Sequence, residues 1–194
     1  VQTVQQAGCR VWLYGNTGTG RRVADCNVFA FPEVAMKLVA DYAELRRLDS
    51  PDNAMMPPLF PRLRRERQPR RAREPLRLFL SMGGADQDFL TGRVVEALIR
   101  LAPSIHLDCV VGPAFPHGEE LAAKLAGASF PWRVHRAPEH FPYLAAACDL
   151  AITQMGNTVA ELNCLGVPVL LLNGTDFHHQ VAEGYAGDGC AANS

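Results

Sequence analysis

The chain has 194 residues, 48% of them hydrophobic, and a formal net charge of −1. That length gives room for one large domain, or one domain plus a fragment. The near-neutral charge excludes a global pull toward nucleic acid or anionic membrane. No apolar run approaches the ~20 residues of a membrane span, and no signal peptide opens the sequence. A cytoplasmic protein without stable membrane insertion is therefore expected.

The sequence begins VQTVQQAGCRVWLYG, without an initiator Met, and reads as a fragment or a trimmed start. VWLYG at residues 11–15 and CNVFAF at residues 26–31 read as two strands. Between them GNTGTGRR, Gly15 to Arg22, is glycine-rich but lacks the GK[ST] of a phosphate-binding P-loop, and reads as a flexible loop. Pro51, Pro57, Pro58 and Pro61 then argue for irregular chain. The run PRLRRERQPRRARE follows, with Arg62, Arg64, Arg65, Arg67, Arg70, Arg71 and Arg73. It has no interleaved aromatics to stack on bases, so it reads as a solvated linker or exposed helix rather than a nucleic-acid patch. The expected division is a partial N-terminal remnant over 1–60, an arginine-rich linker over 61–74 and an α/β domain over 75–194.

Beyond residue 74, strand and helix patterns alternate. Leu76–Ser81 reads as a strand, Asp88–Leu101 as a helix, Ile105–Val111 as a strand and Glu119–Leu125 as a short helix. Trp132–His135 reads as a short strand and Phe141–Ala147 as a helix. Leu150–Thr153, a helix after Gly156, and Val169–Leu172 complete the pattern, with a final short strand at Cys190–Asn193. Gly166-Val167-Pro168 stops the last helix. Such alternation predicts a parallel Rossmann-like sheet with helices on both faces, and ligands outside the strands' carboxyl ends.

Two glycine loops fall at those ends: Ser81-Met82-Gly83-Gly84-Ala85-Asp86 and Gln154-Met155-Gly156-Asn157-Thr158. Strand-to-helix turns use glycine for its backbone freedom alone. Two such loops in corresponding βα positions, the second opening a helix, also suit a phosphate held by free N–H groups and the helix dipole. Glu161 lies one turn inside that helix, where a carboxylate can reach a ribose diol.

Six cysteines occur without a CxxC pair, and Cys109, Cys148 and Cys164 lie in apolar surroundings, which reads as buried free thiols. His135, His140, His178 and His179 fall in or near the βα loops. Asp176 with His178 and His179 lacks helical i, i+4 spacing and a third ligand. No metal and no cofactor are expected, and His178 or His179 reads as a pyrophosphate or sugar contact. No G-x-S-x-G elbow is present, and no catalytic residue is assignable.

LFLSMGGADQDFLTGRVVEAL resembles the entry to the C-terminal domain of the pseudaminic-acid pathway UDP-sugar hydrolases and related spore-coat polysaccharide proteins. DLAITQMGNTVAELNCLGVPVLLL is similar to their second motif, and DYAELRRL to their segment before the domain crossover. The resemblance covers about residues 38 to 192 and reaches the wider two-domain GT-B superfamily. It implies that this half grips UDP while acceptor or water and the general base come largely from the other half. It further implies that Gly156, Asn157 and Thr158 hold the diphosphate, that Glu161 holds the ribose, and that backbone after Pro138 reads the uracil. Gly83, Gly84 and Asp86 would face the cleft, and His179 and Gln180 would lie near the sugar.

There are departures. No G-x-G-H is found, Gln154-Met155 replaces small residues, Asn157 stands where Ser is common, and His178-His179 replaces the usual Asn before Gln180. The C-terminal helices of the fold are expected to be missing. The implied function is hydrolysis of a UDP-linked amino-deoxy sugar, with a GT-B glycosyltransferase domain or a non-catalytic nucleotide-sugar module as alternatives. The chain alone is expected to be inactive. UDP or a UDP-sugar is the expected partner, with a second copy or a missing N-terminal domain completing the cleft.

Overall fold

The computed structural model describes residues 1–16, 18–30, 35–36, 39–50, 53, 55–68, 75–174, 179, 182–183 and 192–193. Arg70, Arg71, Arg73, Asp176, His178, Gln180 and Cys190 lie outside the described residues. Two compact units are present, Val1–Met56 and Pro57–Ser194.

The first unit carries helix α1 (Gln2–Gln6) and strands β1 (Trp12–Tyr14), β2 (Cys26–Phe29) and β3 (Arg47–Asp49) in one parallel sheet of order β1-β2-β3. Phe29, Ala35, Val39, Tyr42 and Leu45 form its core. The segment expected to be a flexible loop contains a 3-10 turn over Thr19–Val23. It is anchored: Arg21 Nε and Arg22 Nε each reach an Asp41 oxygen at 2.6 Å. The Arg22 hydrogen bond is the chief reason that the Asp41 carboxyl lies below its usual range. Strand β3 begins at the end of DYAELRRL and is fixed by Asp49, which accepts from the Tyr42 hydroxyl and Arg47 Nε at 2.7 Å each.

The second unit begins with helix α2 (Leu59–Glu66), so part of the segment read as a solvated linker or exposed helix is a helix with a buried side. Pro61 is tolerated because it sits in the first turn, where an N–H lacks an intrahelical acceptor anyway. Phe60 and Leu63, three residues apart, are buried, while Arg62, Arg64 and Arg65 are exposed. Arg67, just past the helix, donates to the carbonyls of Ala146 (3.2 Å), Gly166 (3.0 Å) and Cys148. One guanidinium thus caps the C-terminal ends of two other helices, where the dipole favours a cation.

Six parallel strands follow in spatial order β6-β5-β4-β7-β8-β9: β4 (Leu76–Ser81), β5 (Ile105–Val111), β6 (Trp132–Arg136), β7 (Leu150–Thr153), β8 (Val169–Leu171) and β9 (Ala192–Asn193). Their helices are α3 (Leu90–Leu101), α4 (Gly118–Leu125), α5 (Phe141–Ala147) and α6 (Asn157–Leu165). Alternation along the strands sends Leu78, Leu80, Leu107, Cys109 and Val111 into one core with Val94, Val95 and Leu98 of α3 and Leu121 and Leu125 of α4. Phe79 points to the other face and meets Phe141 of α5 edge-on at 5.6 Å. Burial pushes the Cys109 and Cys148 thiols up to about 12, so both are inert packing groups at neutral pH.

Winding runs β4 to β5 to β6 in one direction, then jumps back to place β7 on the far side of β4. The strand order therefore reverses between β4 and β7, where open α/β sheets leave a crevice at the carboxyl ends. Ser81 and Thr153, the last residues of these strands, are register partners.

Candidate functional site

Both glycine loops leave the sheet at that reversal, side by side, but they are built differently. In the loop after β4, Gly83 has φ +82°. An added Cβ there would lie 2.7 Å from Gln154 Nε2. Gly84 packs its backbone against Gly112 so tightly that a Cβ on Gly112 would sit 2.1 Å from the Gly84 carbonyl oxygen. Asp86, 8% exposed, accepts from the N–H groups of Leu90 (2.8 Å) and Thr91 (2.9 Å). Its carboxylate caps α3, the task of a residue at a helix start, whereas the motif resemblance implies a place facing the cleft. Phe89 takes a left-handed φ of +51° and stacks on His117, whose Nε2 lies 3.1 Å from the Gln87 carbonyl.

In the loop after β7, Gly156 is exposed and has an extended φ of 170°, which any residue adopts. A Cβ on it would meet nothing within 4 Å. The fold itself thus makes no demand for glycine at this position. The next N–H groups, of Asn157 and Thr158, have no acceptor among the described residues; Val159 N–H returns to the Gly156 carbonyl at 3.1 Å. Helix α6 is nine residues long and ends in a left-handed Gly166 (φ +67°), with Val167 N–H bonding back to Leu162 O at 3.0 Å. Its amino end is therefore an open pair of donors with the positive end of the helix dipole behind it.

Glu161 is half-buried on α6 and makes no hydrogen bond or ion pair with any described residue. Burial raises its carboxyl above the usual range. An acid withdrawn from water without a partner is held for something, or is a cost the fold tolerates. The structure thus brings Gly83, Gly84, Gly156, Asn157, Thr158 and Glu161 to one end of the sheet. His179 is exposed, and Gln180 lies outside the described residues.

Two side chains outside the expected ligand set bind the loops together. Thr153 Oγ1 donates to Ser81 O at 2.6 Å, and Gln154 Nε2 donates to Met82 O at 2.7 Å. Met155 N–H is held by Asn173 Oδ1 at 3.0 Å. A polar residue directly after a buried strand run was the available signal. His135 stands within β6 and pairs with Asp108 at 2.7 Å, with the His140 ring 5.7 Å away edge-on, so it is a hydrogen-bonded residue of the sheet. A groove of about 320 Å³ lined by Arg77, His106, Asp108, Trp132 and Arg133 lies toward the strands' amino ends, away from the glycine loops. No group of three or more His, Cys, Asp or Glu suited to a metal occurs among the described residues. Nor is any described helix long and apolar enough to cross a membrane.

No family model matches the chain. Over 115 residues it is 27% identical to an uncharacterized protein of Methanocaldococcus jannaschii, a match covering 58% of this chain and 24% of that protein. MurG of Acinetobacter baumannii matches all of this chain with a TM-score of 0.69 at 17% identity, over 62% of its own chain. The pneumococcal O-GlcNAc transferase GtfA, solved with UDP and GlcNAc, matches 89% of this chain and 39% of its own, with a TM-score of 0.51 at 16% identity. The chain spans less than two thirds of each of these proteins. At such identities the likeness is one of architecture: the chain has the Rossmann-like α/β fold of the GT-B glycosyltransferases.

Proposed function

We propose that the second unit is the nucleotide-diphosphate-sugar half of a GT-B enzyme, and that the crevice between β4 and β7 holds the donor. The observation carrying this reading is the amino end of α6. There an exposed glycine that the fold does not require precedes two unengaged N–H groups, with the uncompensated Glu161 carboxyl one turn along. The diphosphate would accept from Asn157 and Thr158 N–H, and the ribose hydroxyls would donate to Glu161. As the sugar leaves, charge grows on the diphosphate, and fixed donors at a helix start stabilise it without reorganising.

Glycosyl transfer is the better supported chemistry, because the fold neighbours are glycosyltransferases. Hydrolysis of a UDP-linked amino-deoxy sugar rests on the SMGGAD and DLAITQMGNTVAE motifs alone. The two differ only in whether a hydroxyl or water attacks C1. A non-catalytic nucleotide-sugar module is the remaining reading, and turnover of a UDP-sugar by the purified chain would exclude it.

Calorimetric titration with UDP, with UMP and GDP as controls, tests the site. Micromolar UDP binding, weaker for UMP and weaker in Glu161→Ala, supports it. Equal binding of UDP by Glu161→Ala, or none by the wild type, would refute it.

A further inference from the structure

Gln154 is a residue with two ends. Its amide nitrogen donates to Met82 O at 2.7 Å and lies 2.7 Å from where a Cβ on Gly83 would be. Its amide oxygen has no partner among the described residues and is not among the buried unsatisfied atoms. The residue is half-buried, so that oxygen is open to solvent. Thr153 and Met155 on either side are pinned to Ser81 and Asn173, which fixes the backbone from which Gln154 projects. The result is a rigid carboxamide lying between the two glycine loops, offering one acceptor.

This position has a direction relative to the proposed donor site, on which the role of Gln154 depends. A ligand with its ribose at Glu161 and its diphosphate at the start of α6 runs along the helix toward its amino end. A group on the far phosphate that turns from Gly156 toward the neighbouring β4 loop would pass Gln154, which is bonded to Met82 of that loop. We infer that Gln154 is a specificity-determining residue. Its amide oxygen accepts a hydrogen bond from a hydroxyl or amide N–H on a polar group carried by the β-phosphate, so the site favours a nucleoside diphosphate bearing a hydroxylated ring over the bare diphosphate. A ligand donor that meets a fixed acceptor gains more than one meeting a mobile chain, and its loss leaves both groups unpaired.

The test compares UDP with UDP-N-acetylglucosamine by calorimetry on the wild type and on Gln154→Met, which keeps the bulk and removes both amide atoms. The expected result is UDP affinity within about twofold in the two proteins, and UDP-N-acetylglucosamine affinity about 3–10-fold weaker in the variant. A merely structural role would weaken both ligands by the same factor. An unchanged ratio of affinities, with UDP still bound, overturns the inference alone. Absence of UDP binding in the wild type overturns the donor site and the inference with it. Hydrogen exchange at Leu162 and Leu165 of α6 checks that the variant is folded.

Discussion

The loops after β4 and β7 leave the same end of the same sheet, from register partners Ser81 and Thr153, yet they use their polar groups in opposite ways. In the first, Asp86 takes up two N–H groups of α3, Gly83 holds a left-handed turn and Gly84 is wedged against Gly112. In the second, the helix start is left uncapped by any side chain, and its glycine has open space where a Cβ would be. Glycine in a turn is ambiguous until the two causes are separated: Gly83 answers to the fold through its left-handed turn, and Gly112 through its contact with the Gly84 backbone, whereas Gly156 answers to nothing in the fold. On the proposed reading the β4 loop is a wall and the β7 loop is the gripping end.

Breaking the wall should cost stability. Gly112→Ala forces a Cβ into the Gly84 backbone, and thermal or denaturant unfolding should show a loss of about 3 kcal/mol, the upper end for overpacking. Next comes Asp86→Ala, which uncaps α3 and should cost roughly 1–2 kcal/mol. UDP affinity should move little in this variant. A large loss of affinity with unchanged stability would restore Asp86 to the ligand and erase the contrast.

Breaking the grip should do the reverse. Gly156→Val should leave unfolding unchanged within about 0.5 kcal/mol and weaken UDP about tenfold, or about 1.4 kcal/mol. The smallest effect concerns pH. Because burial raises the Glu161 carboxyl, and the proposed ribose contact needs the carboxylate, UDP affinity should fall with acidification at a higher pH than for an ordinary Glu. Glu161→Gln should lack that component, which a side-by-side pH titration would isolate. The stability sign is opposite: a carboxyl raised in the folded state contributes below its unfolded pKa and loses that contribution as pH rises through its folded value. Glu161→Gln should therefore be slightly more stable than wild type at neutral pH.

Three strands of the second sheet were legible to the residue. Leu76–Ser81, Ile105–Val111 and Leu150–Thr153 are short apolar runs bounded by turn residues, and burial on a central sheet leaves such a run few alternatives. Strand β3 was not legible, because Arg47-Leu48-Asp49 has no apolar run and owes its place to Tyr42 and Asp49. The packing of helix α2 was masked by its arginines: the run reads as a linker or exposed helix, and Phe60 and Leu63 are its two buried residues. Of the candidate site, the glycine turn and the place of Glu161 one turn into the helix could be read from spacing. The capping role of Asp86 and the bridge of Gln154 could not. The first depends on which helix end its carboxylate meets, and the second links residues 72 apart in the chain.

The most direct measurement is backbone amide NMR of the chain titrated with UDP and, separately, UMP. Saturable shifts that are largest at the Asn157 and Thr158 amides, with UDP well ahead of UMP and Leu90 and Thr91 little moved, are the predicted result. Shifts centred on Gly83 to Thr91, or on the Arg77 and Trp132 groove at the strands' other end, with Asn157 and Thr158 silent, would contradict it.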